Sequence, residues 1–184
     1  MGLTLPNFLT LIRIAAIIPI VALFYVDAWW APWTAFALFA AACITDFLDG
    51  YLARATGQVS KLGRFLDPVA DKLLVAAVIL MLVATGNLSG LAILPGLIIL
   101  LREIAVSGLR EILAELRVGM PVSNLAKWKT TIQMLALGFL IVGNAGPDAI
   151  PCILIGEVLI WIAGALTIIT GFDYLRAGVR HLTE

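Results

Sequence analysis

Four aspartates, Asp46, Asp49, Asp67 and Asp71, lie close together in a chain that is otherwise strongly apolar. Asp46 and Asp49 are spaced i, i+3, and Asp67 and Asp71 are spaced i, i+4, so each pair shares one face of a helix. Two such pairs facing one another offer carboxylate oxygens only, which are the ligands that Mg²⁺ and Mn²⁺ prefer. Carboxylates at membrane depth are costly and usually mark a functional site. The pattern predicts a site for divalent cations that could neutralise a pyrophosphate group.

Small residues and one cation accompany the aspartates. Gly50, Ala53 and Gly63 would let a nucleotide or phosphate approach the backbone closely. Arg54 suits bidentate contact with a phosphate group. The only histidine, His181, lies in the C-terminal tail. We therefore expect direct attack by a substrate hydroxyl, with a carboxylate as the general base.

The composition is that of a membrane protein. The chain has 184 residues, of which 62% are hydrophobic and 13% are charged, and its mean hydropathy is +1.07. These values lie far outside the range of soluble domains. The hydrophobic segments are approximately 8–26, 31–53, 65–85, 91–116, 127–144 and 150–175. Each is about long enough to cross a bilayer as a helix, so we predict an all-α protein with six transmembrane helices.

The basic residues predict the orientation of these helices. All 12 lysines and arginines lie near the N-terminus, in or beside the second and fourth connections, or in the tail. They are Arg13, Arg54, Lys61, Arg64, Lys72, Arg102, Arg110, Arg117, Lys127, Lys129, Arg176 and Arg180. The positive-inside rule then places both termini and the even-numbered connections in the cytoplasm. The aspartates would lie in the cytoplasmic half of the membrane.

An alternative interpretation is that these charges only neutralise one another, for instance through an ion pair between Arg102 and an aspartate. Acidic residues outnumber basic ones at this depth, which favours a functional site instead.

The motif resembles that of a known family. The order Asp-x2-Asp-Gly-x2-Ala-Arg-x8-Gly-x3-Asp-x3-Asp, from Asp46 to Asp71, matches the signature of the CDP-alcohol phosphatidyltransferases at every fixed position. The resemblance implies cleavage of a CDP-linked lipid, release of CMP and transfer of the phosphatidyl group to an alcohol. It also implies one membrane domain over residues 1–184, a homodimer, and a multi-pass location in the bacterial inner (cytoplasmic) membrane.

The resemblance further implies roles for single residues. Asp46 and Asp67 would bridge two Mg²⁺ or Mn²⁺ ions. Asp49 would hold one ion, and Asp71 would hold the other while accepting a proton. The residues expected at the CDP-lipid are Gly50, Ala53, Arg54, Ser60, Gly63, Asn7 and Thr10.

Asn7 and Thr10 have a second interpretation. Both residue types favour helix starts, so these two side chains could cap the first helix instead of contacting a nucleotide.

Further blocks, at 5–13, 102–111 and 127–133, resemble the branch of the family that uses sn-glycerol 3-phosphate. The implied substrates are that acceptor and CDP-diacylglycerol, with membrane lipid as surroundings and no nucleic acid as partner. Glu103, Ser107 and Arg110 are spaced i, i+4, i+7 along one helix stripe. We expect Arg110, Arg102 and Lys129 to bind the acceptor phosphate. Snorkelling at the inner interface is the alternative role for these cations.

Three other functions are compatible with an aspartate-rich membrane protein. The first is a sibling transferase that uses inositol phosphate, serine or phosphatidylglycerol as acceptor. The second is an intramembrane prenyltransferase, whose two aspartate motifs would normally lie far apart in a longer chain. The third is a divalent-cation transporter, which would leave Gly50, Ala53, Arg54 and Gly63 without a role.

Overall fold

A computed structural model describes the backbone of residues 5–56, 61–115 and 124–183. It describes the side chains of residues 7–46, 63, 66–113, 124–172 and 174. The helices are α1 (Leu5–Leu23), α2 (Ala31–Thr56), α3 (Lys61–Ala84), α4 (Ile93–Glu115), α5 (Asn124–Val142) and α6 (Cys152–Thr183). Short 3-10 helices at Gly90–Ala92 and Gly143–Ala145 precede α4 and follow α5. The described backbone contains no strand, which confirms the all-α prediction.

Each predicted hydrophobic segment coincides with one helix. Three segments are long and apolar enough to cross a membrane: Gly90–Leu113, Asn124–Ala145 and Cys152–Phe172. Asn7–Leu23 and Ala31–Asp46 are shorter apolar stretches. Those two stretches are the parts of α1 and α2 whose side chains are described, whereas in α3 Asp67, Asp71 and Lys72 fall inside the helix and interrupt its apolar run.

The helices pack into one bundle. α1 lies against α2 and α3, α5 lies against α6 and α2, and α4 lies against α6 and α3. Side chains from five helices meet in the core, each at most 2% exposed: Phe39, Leu74, Ile99, Leu137 and Ile160. Between helices in a bilayer, such contacts stabilise through close packing, because lipid tails are as apolar as these side chains. The bundle therefore brings distant parts of the chain together around a shared apolar centre.

One end of the bundle is closed by contacts among three connections. Trp33 at the start of α2 donates its Nε1–H to the carbonyl of Ala145, at 3.1 Å. Asn87, between α3 and α4, donates its Nδ2–H to the carbonyl of Leu140, at 2.9 Å. Gly143 has φ +50°, and a Cβ there would lie 2.6 Å from Nδ2 of Asn87, so only glycine fits. The aspartate-bearing parts of α2 and α3 consequently lie toward the opposite end.

Candidate active site

Helix α1 presents a polar face to the aspartate-bearing helices. Asn7, Thr10 and Arg13 are 5%, 0% and 1% exposed in a helix that is otherwise apolar. Their spacing of three residues places them on one side of the helix. Burial of polar groups is costly without partners, so this face must be matched by polar groups on its neighbours.

The partners are two of the predicted site residues. Nη1 of Arg13 donates to Oδ1 of Asp46 over 2.5 Å, which links α1 to α2. The hydroxyl of Thr10 donates to Oδ1 of Asp67 over 2.6 Å, which links α1 to α3. Both are charge-assisted bonds of the stronger kind. Helix α1 thus ties one member of each aspartate pair to a fixed position.

These contacts change two sequence-based expectations. Thr10 lies in the second turn of α1 and its hydroxyl is bound to Asp67, so the helix-capping interpretation is wrong for Thr10. Arg13 is a topology marker and part of the block at 5–13 in the sequence, and its bond to Asp46 was not predicted. The signal was present in the three-residue spacing of Asn7, Thr10 and Arg13. The ion-pair interpretation named Arg102 as the partner of an aspartate, whereas Arg13 has that contact.

A cavity of about 700 Å³ begins at the aspartates and continues between α2 and α5. Asp46, Asp71 and Arg13 line one end, and Pro147, Ile150 and other residues near the closed end of the bundle line the other. Its remaining lining is mainly apolar: Trp33, Phe36, Phe39, Ala40, Ala42, Cys43, Ile44, Leu74, Met134, Leu135, Gly138, Phe139 and Val142, with Thr130, Thr131 and Cys152. The cavity therefore joins a carboxylate end to a long hydrophobic wall.

Gly138 on α5 shapes this wall. A Cβ at Gly138 would lie 2.9 Å from Cε2 of Phe36, a separation that real Cβ atoms essentially never show. The absence of a side chain thus lets the Phe36 ring lie directly on α5. Both residues line the cavity, so this contact forms part of its wall.

The donor chemistry of the site suits a hard divalent cation. Asp46 and Asp71 line the same cavity, and the side chain of Asp46 remains 45% exposed despite its bond to Arg13. Asp67 is on the neighbouring turn of α3 and is held by Thr10. Among the side chains that the structure describes, no three acidic, histidine or cysteine groups form a metal-binding cluster. The predicted four-carboxylate cage includes Asp49, whose side chain lies outside that set.

Several other predicted residues also lie outside the described set. Asp49 lies on α2 with Asp46, as their i, i+3 spacing predicted, and α2 also carries Gly50, Ala53 and Arg54. The side chains of these four residues are not described. Ser60 falls outside the described residues altogether. Gly63, in contrast, is described, and it is buried in the first turn of α3.

The cations predicted for the acceptor lie on α4 and α5. The ammonium of Lys129 donates to Oε1 of Glu103, and the Lys129 side chain is only 2% exposed. This ion pair joins α5 to α4. Oε2 of Glu103 also lies 3.7 Å from Nη1 of Arg102. Lys129 is therefore held in a pair with Glu103.

Arg102 and Arg110 converge on an aromatic side chain that sequence reasoning did not single out. The guanidinium carbon of each lies 5.4 Å from the ring centroid of Tyr174 on α6. Nη2 of Arg102 also donates to the hydroxyl of Thr170, at 3.3 Å. The C-terminal third of the chain carries no recognisable motif, so no local signal indicated this contribution.

Comparison with known proteins identifies the family. The family model for CDP-alcohol phosphatidyltransferase matches residues 3–169. A Rickettsia bellii protein named CDP-diacylglycerol–glycerol-3-phosphate 3-phosphatidyltransferase is 50% identical, over 96% of this chain and 96% of its own. Proteins of that name are 43% identical in Pseudomonas fluorescens, over 98% of this chain and 92% of theirs, and 37% identical in Cereibacter sphaeroides, over 100% and 99%. The chain belongs to the CDP-alcohol phosphatidyltransferase family.

Proposed function

We propose that this protein transfers the phosphatidyl group of CDP-diacylglycerol to sn-glycerol 3-phosphate, giving phosphatidylglycerol phosphate and CMP. The observation that carries the proposal is the cavity that joins Asp46 and Asp71 to a long apolar wall. A nucleotide-linked lipid has this same division into a polar head and hydrocarbon chains. The names of relatives that are up to 50% identical over nearly the full chain support the choice of both substrates.

The reaction exchanges a phosphoanhydride bond for a phosphate ester bond. The acceptor hydroxyl oxygen forms a bond to the phosphorus that carries diacylglycerol, and the bond from that phosphorus to the departing CMP breaks. The hydroxyl proton passes to a carboxylate, which we assign to Asp71 because it faces the cavity from α3. Arg13 and Thr10 hold Asp46 and Asp67 in place for this step.

A divalent metal belongs to this proposal, since the family generally depends on one. We assign two ions, Mg²⁺ or Mn²⁺, to Asp46, Asp49, Asp67 and Asp71. When bound, they would offset the charge of the pyrophosphate and of the departing CMP. The all-oxygen donor set and the exposed part of Asp46 support this assignment.

The remaining site residues are assigned by motif. Residues proposed for the CDP-lipid are Gly50, Ala53, Arg54, Ser60, Gly63, Asn7 and Thr10. For the acceptor phosphate we propose Arg110 and Arg102, which gather on one side of α4 near α6. Lys129 is the third candidate, and it forms an ion pair with Glu103.

We further propose that all six helices span the membrane as one domain over residues 1–184, with both termini cytoplasmic. The meeting of the first, third and fifth connections at one end of the bundle supports this arrangement. The active site then faces the cytoplasm of a bacterial cell, where a soluble acceptor can reach it. A homodimer is proposed from the family resemblance.

The experiment is a CMP-release assay on the purified protein in detergent. CDP-diacylglycerol and Mg²⁺ are supplied with glycerol 3-phosphate, inositol phosphate, serine or phosphatidylglycerol in separate reactions. Of the four acceptors, only glycerol 3-phosphate is expected to give CMP release. CMP release only with another acceptor would select a sibling activity. Asp71→Asn should abolish turnover without loss of CDP-lipid binding. Near-normal turnover in that variant would remove Asp71 as the base.

A further inference from the structure

Tyr174 lies on α6 and contacts two residues of α4. The residue is 6% exposed, and the guanidinium carbons of Arg102 and Arg110 each lie 5.4 Å from its ring centroid. A cation within about 6 Å of an aromatic face is attracted to the ring, more strongly when water is excluded. One ring therefore attracts two arginines that are eight positions apart on α4.

Other residues of α6 near Tyr174 also contact Arg102. The hydroxyl of Thr170 accepts from Nη2 of Arg102 at 3.3 Å and donates to the carbonyl of Leu166 at 2.7 Å. A Cβ at Gly171 would lie 3.0 Å from Cγ of Arg102, so this glycine lets the arginine stem lie against α6. Thr170, Gly171 and Tyr174 share one face of α6 by their spacing. The side chain of Arg102 is consequently oriented by α6.

The ring holds the arginines without cancelling their charge. A carboxylate in its place would form ion pairs and compete with an incoming anion, whereas an aromatic face leaves the guanidinium N–H groups available. Nε of Arg102 is buried with no hydrogen-bond partner among the described residues. The nearby carboxylate of Glu103 accepts from Lys129 through its other oxygen. The Tyr174 ring thus adds no negative charge beside Arg102 and Arg110, and among the described side chains Glu103, at 3.7 Å, is the carboxylate paired with Arg102.

We propose that Tyr174 is a positioning residue that holds Arg102 and Arg110 in the arrangement that receives the phosphate of the acceptor. The inference rests on the proposed function, because it assigns a phosphorylated acceptor to these arginines. Tyr174 acts through the arginines and has no role in the transfer step itself. Its loss should therefore weaken acceptor binding and leave the rate at saturation nearly unchanged.

The test compares Tyr174→Leu with Tyr174→Phe in the CMP-release assay. The leucine variant should raise the KM for glycerol 3-phosphate about tenfold, as loss of a desolvated cation–π contact implies. Its kcat and its KM for CDP-diacylglycerol should stay within about twofold of the wild type, since neither depends on the arginine spacing. The phenylalanine variant keeps the aromatic face, so its KM for glycerol 3-phosphate should stay near the wild-type value.

Gly164→Ala is the matched control for helix packing. Its Cβ would lie 2.7 Å from Cβ of Pro95, so it disturbs the same α4–α6 contact without touching either arginine. An equal rise in the acceptor KM in this control would assign the effect to packing and overturn the proposal. An unchanged KM in Tyr174→Leu would overturn it as well.

A second series keeps the shape of the ring. Phenylalanine with increasing fluorination at position 174 weakens the attraction for cations while the packing is preserved. The acceptor KM should rise with each step, and a flat series would refute the positioning role even if the leucine variant fails to fold. Absence of CMP release by the wild-type protein with glycerol 3-phosphate would instead refute the proposed function.

Discussion

The ion pair between Glu103 and Lys129 predicts an asymmetric response to substitution. Lys129 is 2% exposed and Glu103 is 20% exposed, so the two partners depend on each other to different degrees. Glu103→Leu would leave a buried ammonium without its carboxylate. This change should lower the free energy of unfolding by about 3–5 kcal/mol. Lys129→Met would leave a carboxylate that retains water and has Nη1 of Arg102 3.7 Å away. We therefore expect Lys129→Met to lower the free energy of unfolding by about 1–2 kcal/mol.

The assay is thermal unfolding in detergent at a fixed scan rate, followed by helical circular dichroism. For a chain of this length 1 kcal/mol corresponds to about 2–4 °C in Tm. Glu103→Leu should therefore lower Tm by about 10 °C and Lys129→Met by about 4 °C. The double variant replaces the pair with apolar groups, and it should be about as stable as Lys129→Met alone. Equal losses in the two single variants, or strict additivity in the double variant, would refute the reasoning.

Three further predictions concern the active site. Thr10→Val removes the hydroxyl that donates to Asp67, so kcat for CMP release should fall about tenfold. Thr10→Ser keeps the hydroxyl and should keep the wild-type kcat. Equal loss in both variants would show that the bond is not the cause. Gly138→Ala would push on the ring of Phe36 in the cavity wall, so rates with long-chain CDP-lipids should fall more than rates with short-chain ones. The control is Gly108→Ala, where a Cβ meets nothing within 4 Å, and unchanged relative rates in Gly138→Ala would contradict an acyl-chain site. Removal of divalent metal with a chelator should abolish CMP release, and added Mg²⁺ should restore it; activity that survives chelation would exclude a metal role.

Much of the fold could be predicted because helix formation is local. The hydrophobic segments coincide with α1 to α6, and the aspartate spacings correctly indicated that Asp46 and Asp49 share one helix and Asp67 and Asp71 another. Periodicity over three or four residues is enough for such statements. The crossing of a membrane stays a prediction for α1, α2 and α3, because the membrane-length apolar segments among the described residues fall on α4, α5 and α6.

Contacts between helices could not be derived in the same way. Arg13 and Asp46 are 33 positions apart, and Thr10 and Asp67 are 57 positions apart. Nothing in the local sequence specifies which polar group of α1 meets which aspartate, because that depends on how the helices rotate and pack. Tyr174 is the clearest case, since it lies in a stretch without any motif.

The sequence alone indicated the class and family of this protein: an apolar chain with four aspartates in two helical pairs, and a signature that the family model confirms. These properties follow from residue type and short-range spacing. Only the tertiary structure decided that α1 holds Asp46 and Asp67, that Lys129 pairs with Glu103, and that Arg102 and Arg110 share the ring of Tyr174. Such contacts require the bundle to close around its apolar core, which brings together side chains that are far apart in the chain.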